Sequence, residues 1–427
     1  MKLLHAADLH IDSPLRGLSR YPGAPEQEFR SAVRGALHNL VDLALDEAVD
    51  AVLLAGDVYD GDWKDYRTGL FFTAQMQRLR EAGVKVCMVA GNHDAQSKIT
   101  RELRLPDNVH RFSTAKPESV VYDDLGLAVH GQGFAERDIT DNLAAAYPKA
   151  LDGHLNIGLL HTALEGAEGH KTYAPCRVED LTARGYDYWA LGHIHARQEV
   201  RRGDPWIVFP GNLQGRHARE TGPKGATLIT ADGPRLTVEH RDLDVVRWGH
   251  AEIDASRAAD VESALGLAEE AMRAAVRDAD GRPLALRVSF TGPSDAHEAL
   301  WRDRERVENE LRGAAGELDG LWIEKVRAAT THAVHEDGGT LSALVGDLRA
   351  TASAVGADPA VLEGLVRGLP GLRGVGAVVD AEDVRVDDEE WRARIFDDAV
   401  DLLTALVGGD PAGIANRPGT PGEEGAA

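Results

Sequence analysis

Residues 51–60 read AVLLAGDVYD: five apolar residues, Ala51–Ala55, run straight into Gly56 and Asp57, with Asp60 three positions on. A run that short and wholly apolar reads as a strand buried on both faces, here delivering carboxylates at its carboxyl end. Working outward, the same reading marks strands at Leu3–Leu4, Val84–Ala90, Leu127–His130, Leu155–Leu160, Tyr186–Leu191, Trp206–Phe209, Ala226–Thr230 and Leu236–His240. Between the early ones lie helical patterns, Glu28–Ala48 and Tyr66–Ala82, the first with Val33, Leu37, Leu40, Val41 and Ala44 on one face. Strand and helix in alternation predict an α/β core, with an antiparallel section after residue 206. A second unit starts near His250 and predicts strand (Ala251–Ile253), helix (Ala258–Arg277), strand (Leu284–Thr291), helix (Asp295–Leu318) and strand (Leu321–Arg327). Residues 330–339, TTHAVHEDGG, read as a linker, 341–407 as a helical part with an apolar stripe from Trp391 to Leu406, and 408–427 as a disordered tail.

The chain has 427 residues, formal charge −23 and two cysteines, Cys87 and Cys176. Two cysteines exclude a disulfide scaffold or a Cys-rich zinc site and suit a reducing cytoplasm. No apolar run reaches the length of a membrane span, and MKLLHAADLH at the start is interrupted by His5 and Asp8, which argues against a signal peptide. The acid is uneven. Residues 1–250 hold 29 basic and 35 acidic residues and 14 of the 17 histidines, whereas 251–427 hold 18 basic and 35 acidic. The first part is nearly neutral and rich in ligands, so the global charge opposes general polyanion binding without excluding one cleft.

Five segments each follow an apolar run: Asp8-Leu9-His10, Gly56 to Asp60, Gly91-Asn92-His93-Asp94, His161, and Gly192-His193-Ile194-His195. In an α/β sheet, ligand groups gather at the carboxyl ends of strands. Asp8 with His10, and His193 with His195, would point the same way if the chain stays extended there. Mixed imidazole and carboxylate donors suit divalent manganese, iron or zinc, not calcium. A carboxylate shared by two ions would hold them about 3.5–4 Å apart, the spacing of two-metal phosphoryl transfer. Two dications against Asp8 and Asp57 leave a positive pocket that attracts a phosphodiester without a lysine patch. Each segment alone reads as an ordinary cap or turn; the argument is their conjunction.

That series, D-x-H, GD-x-x-D, GNHD, a strand-end His and GH-x-H, resembles the calcineurin-like metallophosphoesterase superfamily over about the first 240 residues. Within it the chain is similar to bacterial DNA-repair exonucleases of the YhaO and SbcD type, through HAADLHIDSPL at 5–15 and PGNLQGRHARETGPKG at 210–225. The resemblance implies a β-sandwich flanked by helices (four layers, αββα) as a catalytic domain over 1–245, and a small α+β capping domain over 250–328. It implies that Asp8, His10 and His195 hold one metal, that Asn92, His161 and His193 hold the other, and that Asp57 bridges. His93 is then the general acid, oriented by Asp60, and Mn²⁺ the expected metal, with Fe or Zn as alternatives. An activated water attacks phosphorus in line while His93 protonates the departing oxygen. The double-strand-break nucleases of archaea and eukaryotes carry a histidine where Asp60 stands, so their strand handling does not transfer.

The expected activity is hydrolysis of DNA phosphodiester bonds by a repair exonuclease subunit in the cytoplasm, with DNA and a coiled-coil ATPase as partners, a homodimer in prospect, and no membrane. The alternatives are a small-molecule phosphoesterase, such as a cyclic-nucleotide phosphodiesterase, favoured by the net acidity, and a non-catalytic subunit of an ATPase complex, opposed by the intact His93. Arg216 and His217 are candidate substrate contacts, in a basic lip with Arg201, Arg202, Arg219 and Lys224. The alternative for that stretch is an ordinary solvated loop. His5 and His130 are expected to be structural.

Overall fold

The structure, a computed structural model, describes residues 1–13, 26–60, 66–96, 103–164, 173–233, 235–333 and 396. The strands are β1 (Lys2–Ala6), β2 (Ala51–Ala55), β3 (Lys85–Val89), β4 (Val109–Arg111), β5 (Glu118–Tyr122), β6 (Leu127–Gly131), β7 (Leu155–His161), β8 (Tyr188–Gly192), β9 (Gln198–Arg201), β10 (Trp206–Phe209), β11 (Gly225–Asp232), β12 (Arg235–Asp242), β13 (Arg247–Asp254), β14 (Leu284–Ser294) and β15 (Leu321–His332). The α-helices are α1 (Glu26–Asp46), α2 (Tyr66–Glu81), α3 (Val178–Thr182), α4 (Val261–Asp278), α5 (His297–Arg302) and α6 (Arg304–Ala315).

Alternation along the short strands builds two cores. In β1 to β3, Leu4, Ala6, Val52, Leu54, Val86 and Met88 face a helical layer of α1 (Leu37, Leu40, Val41) and α2 (Phe72, Met76, Leu79). The intervening Leu3, Leu53, Ala55, Cys87 and Val89 face Val129, Ile157, Leu159, Tyr188 and Val208 of a second sheet. Both faces are therefore buried, which is why these strands read as unbroken apolar runs. The first sheet runs β12-β11-β1-β2-β3-β4 and the second β5-β6-β7-β8-β10-β9. Within them β1, β2, β3 and β4 are mutually parallel, as are β6, β7, β8 and β10. The outer face of the second sheet packs Leu160, Trp189, Leu191 and Phe209 against Leu181 of α3 and Ala144 of a 3-10 turn at Leu143–Ala146. This is the two-sheet sandwich flanked by helices that the resemblance implies.

A third sheet, β13-β14-β15, joins the same compact unit through an aromatic contact: Phe29 of α1 meets Trp248 and Trp322 edge-on, with centroids 5.3 and 6.0 Å away. That unit comprises Met1–Ile253, Leu265–Phe290 and Glu305–Arg327. A second unit takes, among the described residues, Asp254–Ala264, Thr291–Arg304, 328–333 and 396, and in it Thr330 Oγ1 bonds His297 Nδ1 at 2.9 Å.

Three strands escaped the sequence reading. β4 is only three residues long, while β5 (ESVVY) and β9 (QEVR) are edge strands, the first exposing alternate residues and the second its two end residues, so neither presents an apolar run. The helix expected over Asp295–Leu318 is interrupted at Asp303, giving α5 and α6. The expected linker begins later than residue 330, because β15 continues to His332. The helical part at 341–407, with its Trp391–Leu406 stripe, and the tail at 408–427 lie outside the described residues apart from residue 396. Among the described residues no helix is long and apolar enough to cross a membrane.

Candidate metal centre

The parallel strands of both sheets release their carboxyl ends toward one rim. β1 leads into Asp8 and His10, β2 into Asp57 and Asp60, β3 into Asn92 and His93, β7 ends on His161, and β8 leads into His193 and His195. The chain does not stay extended there. Asp8 (φ 52°), His10 (φ 45°), Asp57 (φ 51°) and His193 (φ 104°) all have positive φ, which costs a non-glycine residue about 1–2 kcal/mol. The expected same-side projection of Asp-x-His from an extended segment is therefore corrected: these side chains reach the rim from left-handed turns. Backbone pairing holds them, with Asp8, His10 and Ile11 N–H groups donating to Gly56, Asp57 and Val58 carbonyls, each at 3.0 Å. The carboxylates clamp the neighbouring turns as well. Asp8 accepts from His193 N at 3.0 Å and Asp57 Oδ1 from His93 N at 2.9 Å. Asp94 gathers the N–H groups of Val58, Tyr59 and Gly91 at 3.0–3.2 Å, a role that the bare GNHD motif did not disclose.

The donor atoms suit cations. His161 Nδ1 lies 2.9 Å from the Ala55 carbonyl, which can only accept, so Nδ1 carries the proton. Burial lowers the His161 pKa to about 3, so the ring is neutral and Nε2 presents a lone pair. That lone pair faces Asn92 Oδ1 at 3.0 Å and Asp57 Oδ2 at 3.5 Å, both acceptors. A second convergence lies beside it. His10 Nε2 and His195 Nε2 are 3.2 Å apart, with Asp57 Oδ2 3.9 Å from the former and Asp8 Oδ1 3.9 Å from the latter. Burial keeps both imidazoles below their ordinary pKa, so they are donors of electron pairs. Asp57 Oδ2 thus stands within 4 Å of an imidazole nitrogen in each cluster, as a bridging ligand must. Burial and the nearby Asp57 charge push the Asp8 carboxyl well above its usual range. Burial also raises Asp57, against the pull of His93. Two buried carboxylates and several buried lone pairs turned on one another are unfavourable alone, and two cations relieve them. The donor atoms of Asp8, His10 and His195 lie within 4.8 Å of one another, as do those of Asp8, Asp57 and His161. His193 enters by ring packing, 5.3 Å from His161 and 5.5 Å from Tyr173.

On the open side, Asp60 Oδ1 lies 3.1 Å from His93 Nδ1 and 3.4 Å from His10 Nδ1, and Ser13 Oγ donates to Asp60 Oδ2 at 2.9 Å. Burial opposes the Asp60 charge, yet the bonds to His10 and His93 outweigh it and hold the carboxyl below its usual range. Burial likewise opposes protonation of His93, but the Asp60 bond and the Asp57 and Asp60 charges prevail and raise its pKa. Arg216 is mostly buried between acids, 3.5 Å from Glu220 Oε1 and 3.9 Å from Asp60 Oδ1. His217 is half exposed, 3.6 Å from Glu220. Of the other basic residues of the stretch, Lys224 is buried and donates to the His195 carbonyl, Arg202 pairs with Glu199, and Arg201 donates to the Asp204 carbonyl. His5 and His130 are core histidines bonded through both ring nitrogens. Sequence reading missed Glu220, whose Oε1 lies 2.6 Å from His195 Nδ1. Its only signal was one acid in the basic run 216–224.

Comparison with known proteins agrees with this geometry. The family described as Calcineurin-like phosphoesterase matches residues 1–197, and that described as Metallophosphoesterase YhaO, middle domain, matches 248–331. The chain is 35% identical over 295 residues to the uncharacterized metallophosphoesterase YhaO of Bacillus subtilis (strain 168), covering 68% of this chain and 72% of that one. It is 25% identical over 268 residues to the DNA double-strand break repair protein Mre11 of Sulfurisphaera tokodaii, covering 57% and 63% respectively. It is 24% identical over 273 residues to one of the subunits of the nuclease SbcCD of Bacillus subtilis, covering 54% and 66%.

Proposed function

Because this chain belongs to the calcineurin-like metallophosphoesterases, metal-dependent hydrolases with a centre for two divalent ions, we propose that its substrate is DNA and that it serves as a nuclease subunit in DNA repair. The observation that carries the hydrolytic reading is the His93–Asp60 pair, 3.1 Å apart at the edge of a cage of converging electron pairs. DNA as substrate is supported by two relatives whose names are those of a double-strand break repair protein and a nuclease component.

In this reading Asp8, His10 and His195 hold one ion, Asn92, His161 and His193 the other, and Asp57 lies between them. Bound there, two divalent ions, expected to be Mn²⁺ with Fe or Zn as alternatives, would supply Lewis-acid activation of water and of the phosphoryl oxygens. The chain's own groups do the rest. Asp60 accepts Nδ1–H of His93 and stabilises the imidazolium. His93 delivers its Nε2 proton to the departing 3′ or 5′ oxygen, a contribution of about 10²–10⁴ in rate. Arg216 adds its charge to the His10 and His93 bonds that keep Asp60 ionised and to the His195 bond that does so for Glu220, and Arg216 and His217 remain the proposed substrate contacts. Residues 250–328 are assigned as a small α+β capping domain. A coiled-coil ATPase partner and a homodimer belong to the same proposal, as does action in the cytoplasm.

The net charge of −23 favours a second reading, a small-molecule phosphoesterase. Incubation with Mn²⁺ and end-labelled linear duplex, beside bis-p-nitrophenyl phosphate, separates the two. A product ladder from the duplex supports the nuclease. Cleavage of the small ester alone gives the second reading, and cleavage of neither by metal-loaded protein leaves a protein without hydrolytic activity.

A further inference from the structure

The loop between β10 and β11 has a single carboxylate buried against the cage. Glu220 is only 6% exposed. Its Oε1 lies 2.6 Å from His195 Nδ1, and its Oε2 accepts from the Arg216 N–H at 2.7 Å and Asn212 Nδ2 at 2.9 Å. Both oxygens are thus fixed, one by the loop and one by the imidazole. The carboxylate cannot donate, so His195 Nδ1 carries the proton and Nε2 is left to face His10 and Asp8.

The loop in turn is held from outside the sandwich. Trp248 of β13 donates Nε1–H to the Gly215 carbonyl at 3.0 Å, and its own carbonyl accepts from the Gly222 N–H at 3.0 Å. Gln214 binds the backbone of Val245 and Val246 through both ends of its amide. At Gly215 an added Cβ would lie 2.8 Å from the Glu220 carbonyl and 3.0 Å from Trp248, so the strut permits no other residue without a shift.

We propose that Glu220 is a positioning residue for one of the two metal sites: it fixes the tautomer and ring orientation of His195 and raises its basicity, and β13 holds it in place through Trp248. The inference rests on the two-ion reading of the cage and not on the identity of the phosphoester. Carboxylate partners of ligating imidazoles alter metal affinity by roughly 10–100-fold. Because Glu220 contacts His195 and not His161, its loss acts on one ion.

The test is Mn²⁺ titration of the full chain by calorimetry, with metal content after dialysis, for wild type, Glu220→Gln and Glu220→Asp. Glutamine keeps an acceptor but removes the charge, while aspartate keeps the charge but withdraws it by one methylene. Wild type is expected to bind two equivalents. Each variant is expected to hold one as tightly as wild type and the other 10–100-fold more weakly, with metal-free melting close to wild type. Glu220→Gln and Glu220→Asp proteins that bind both ions like wild type overturn the proposal. So does a metal-free melting temperature that falls while both affinities stay unchanged, since that is the signature of a purely structural loop brace. Should one variant not fold, the other decides. A wild type that binds fewer than two ions sinks the cage reading itself, which is a different outcome.

Discussion

At the scale of single residues, His93 and His193 make opposite demands on one assay. His93 is bonded to Asp60 and stands beside the cage, its ring 4.9 Å from that of His10. In the proposed assignment it is the proton donor and not a ligand of either ion. His93→Ala is expected to keep both equivalents of metal and to lose about 10²–10⁴ in kcat on bis-p-nitrophenyl phosphate. His193→Ala is expected to lose activity and metal together, because its imidazole packs on His161 within the cage and is assigned as a ligand. Metal analysis beside turnover checks both. Wild-type rates from His93→Ala would remove the assigned acid, and full metal retention by His193→Ala would remove the assigned ligand.

At the scale of elements, the turns that leave β1, β2, β3 and β8 set the site, and glycines decide whether they close. A Cβ on Gly91 would sit 2.2 Å from Asp57 Oδ1 and 2.6 Å from Asp57 N, so the bridging carboxylate has to move. Gly126, in the turn between β5 and β6, has φ +60° and nothing within 4 Å of an added Cβ. Gly91→Ala is therefore expected to cost about 3 kcal/mol from overpacking and to weaken binding of both ions, since Asp57 is assigned to lie between them. Gly126→Ala is expected to cost about 1 kcal/mol through φ alone and to bind both ions. Urea unfolding with metal content checks the pair, and two ions bound as in wild type by Gly91→Ala would show that the turn tolerates the shift. These contrasts also show what the sequence could disclose. The ligand segments were legible because each follows an apolar strand, and the strand-end rule then gathers them. The strands of the two cores were legible for the same reason. β5 and β9 were not, because an edge strand with one wet face has no continuous apolar run. The left-handed turns at Asp8 and His10 were not, because no glycine marks them and the conformation is imposed by bonds to Gly56 and Asp57, which lie far away in the chain. Glu220 was hidden for a related reason: an acid among arginines reads as a solvated loop until the fold brings His195 to it.

For the whole molecule, the seam between the two sheets carries a pH dependence separate from the metal centre. His5 of β1 faces the second sheet, with Nε2 3.2 Å from the Leu191 carbonyl and Nδ1 3.0 Å from Tyr188 Oη. The carbonyl can only accept, so Nε2 carries the proton and Nδ1 accepts from the tyrosine hydroxyl. No site remains for a second proton, and burial lowers the pKa from 6.5 to about 3. The folded state therefore binds this proton less readily than the unfolded chain. Above pH 6.5 neither state is charged and the group contributes nothing to the pH slope. As pH falls from 6.5 toward 3 the unfolded chain gains a proton that the folded chain excludes, and stability drops by about 1.4 kcal/mol per unit. Between pH 7 and pH 5 the loss from this group is about 2 kcal/mol. His5→Gln keeps an amide donor for Leu191 and has no titrating group. In chelator, so that the metal ligands are equivalent in both proteins, urea unfolding at pH 7 and pH 5 should show the variant losing about 2 kcal/mol less than wild type. An equal loss in both would place the acid sensitivity of the sandwich elsewhere than in this seam.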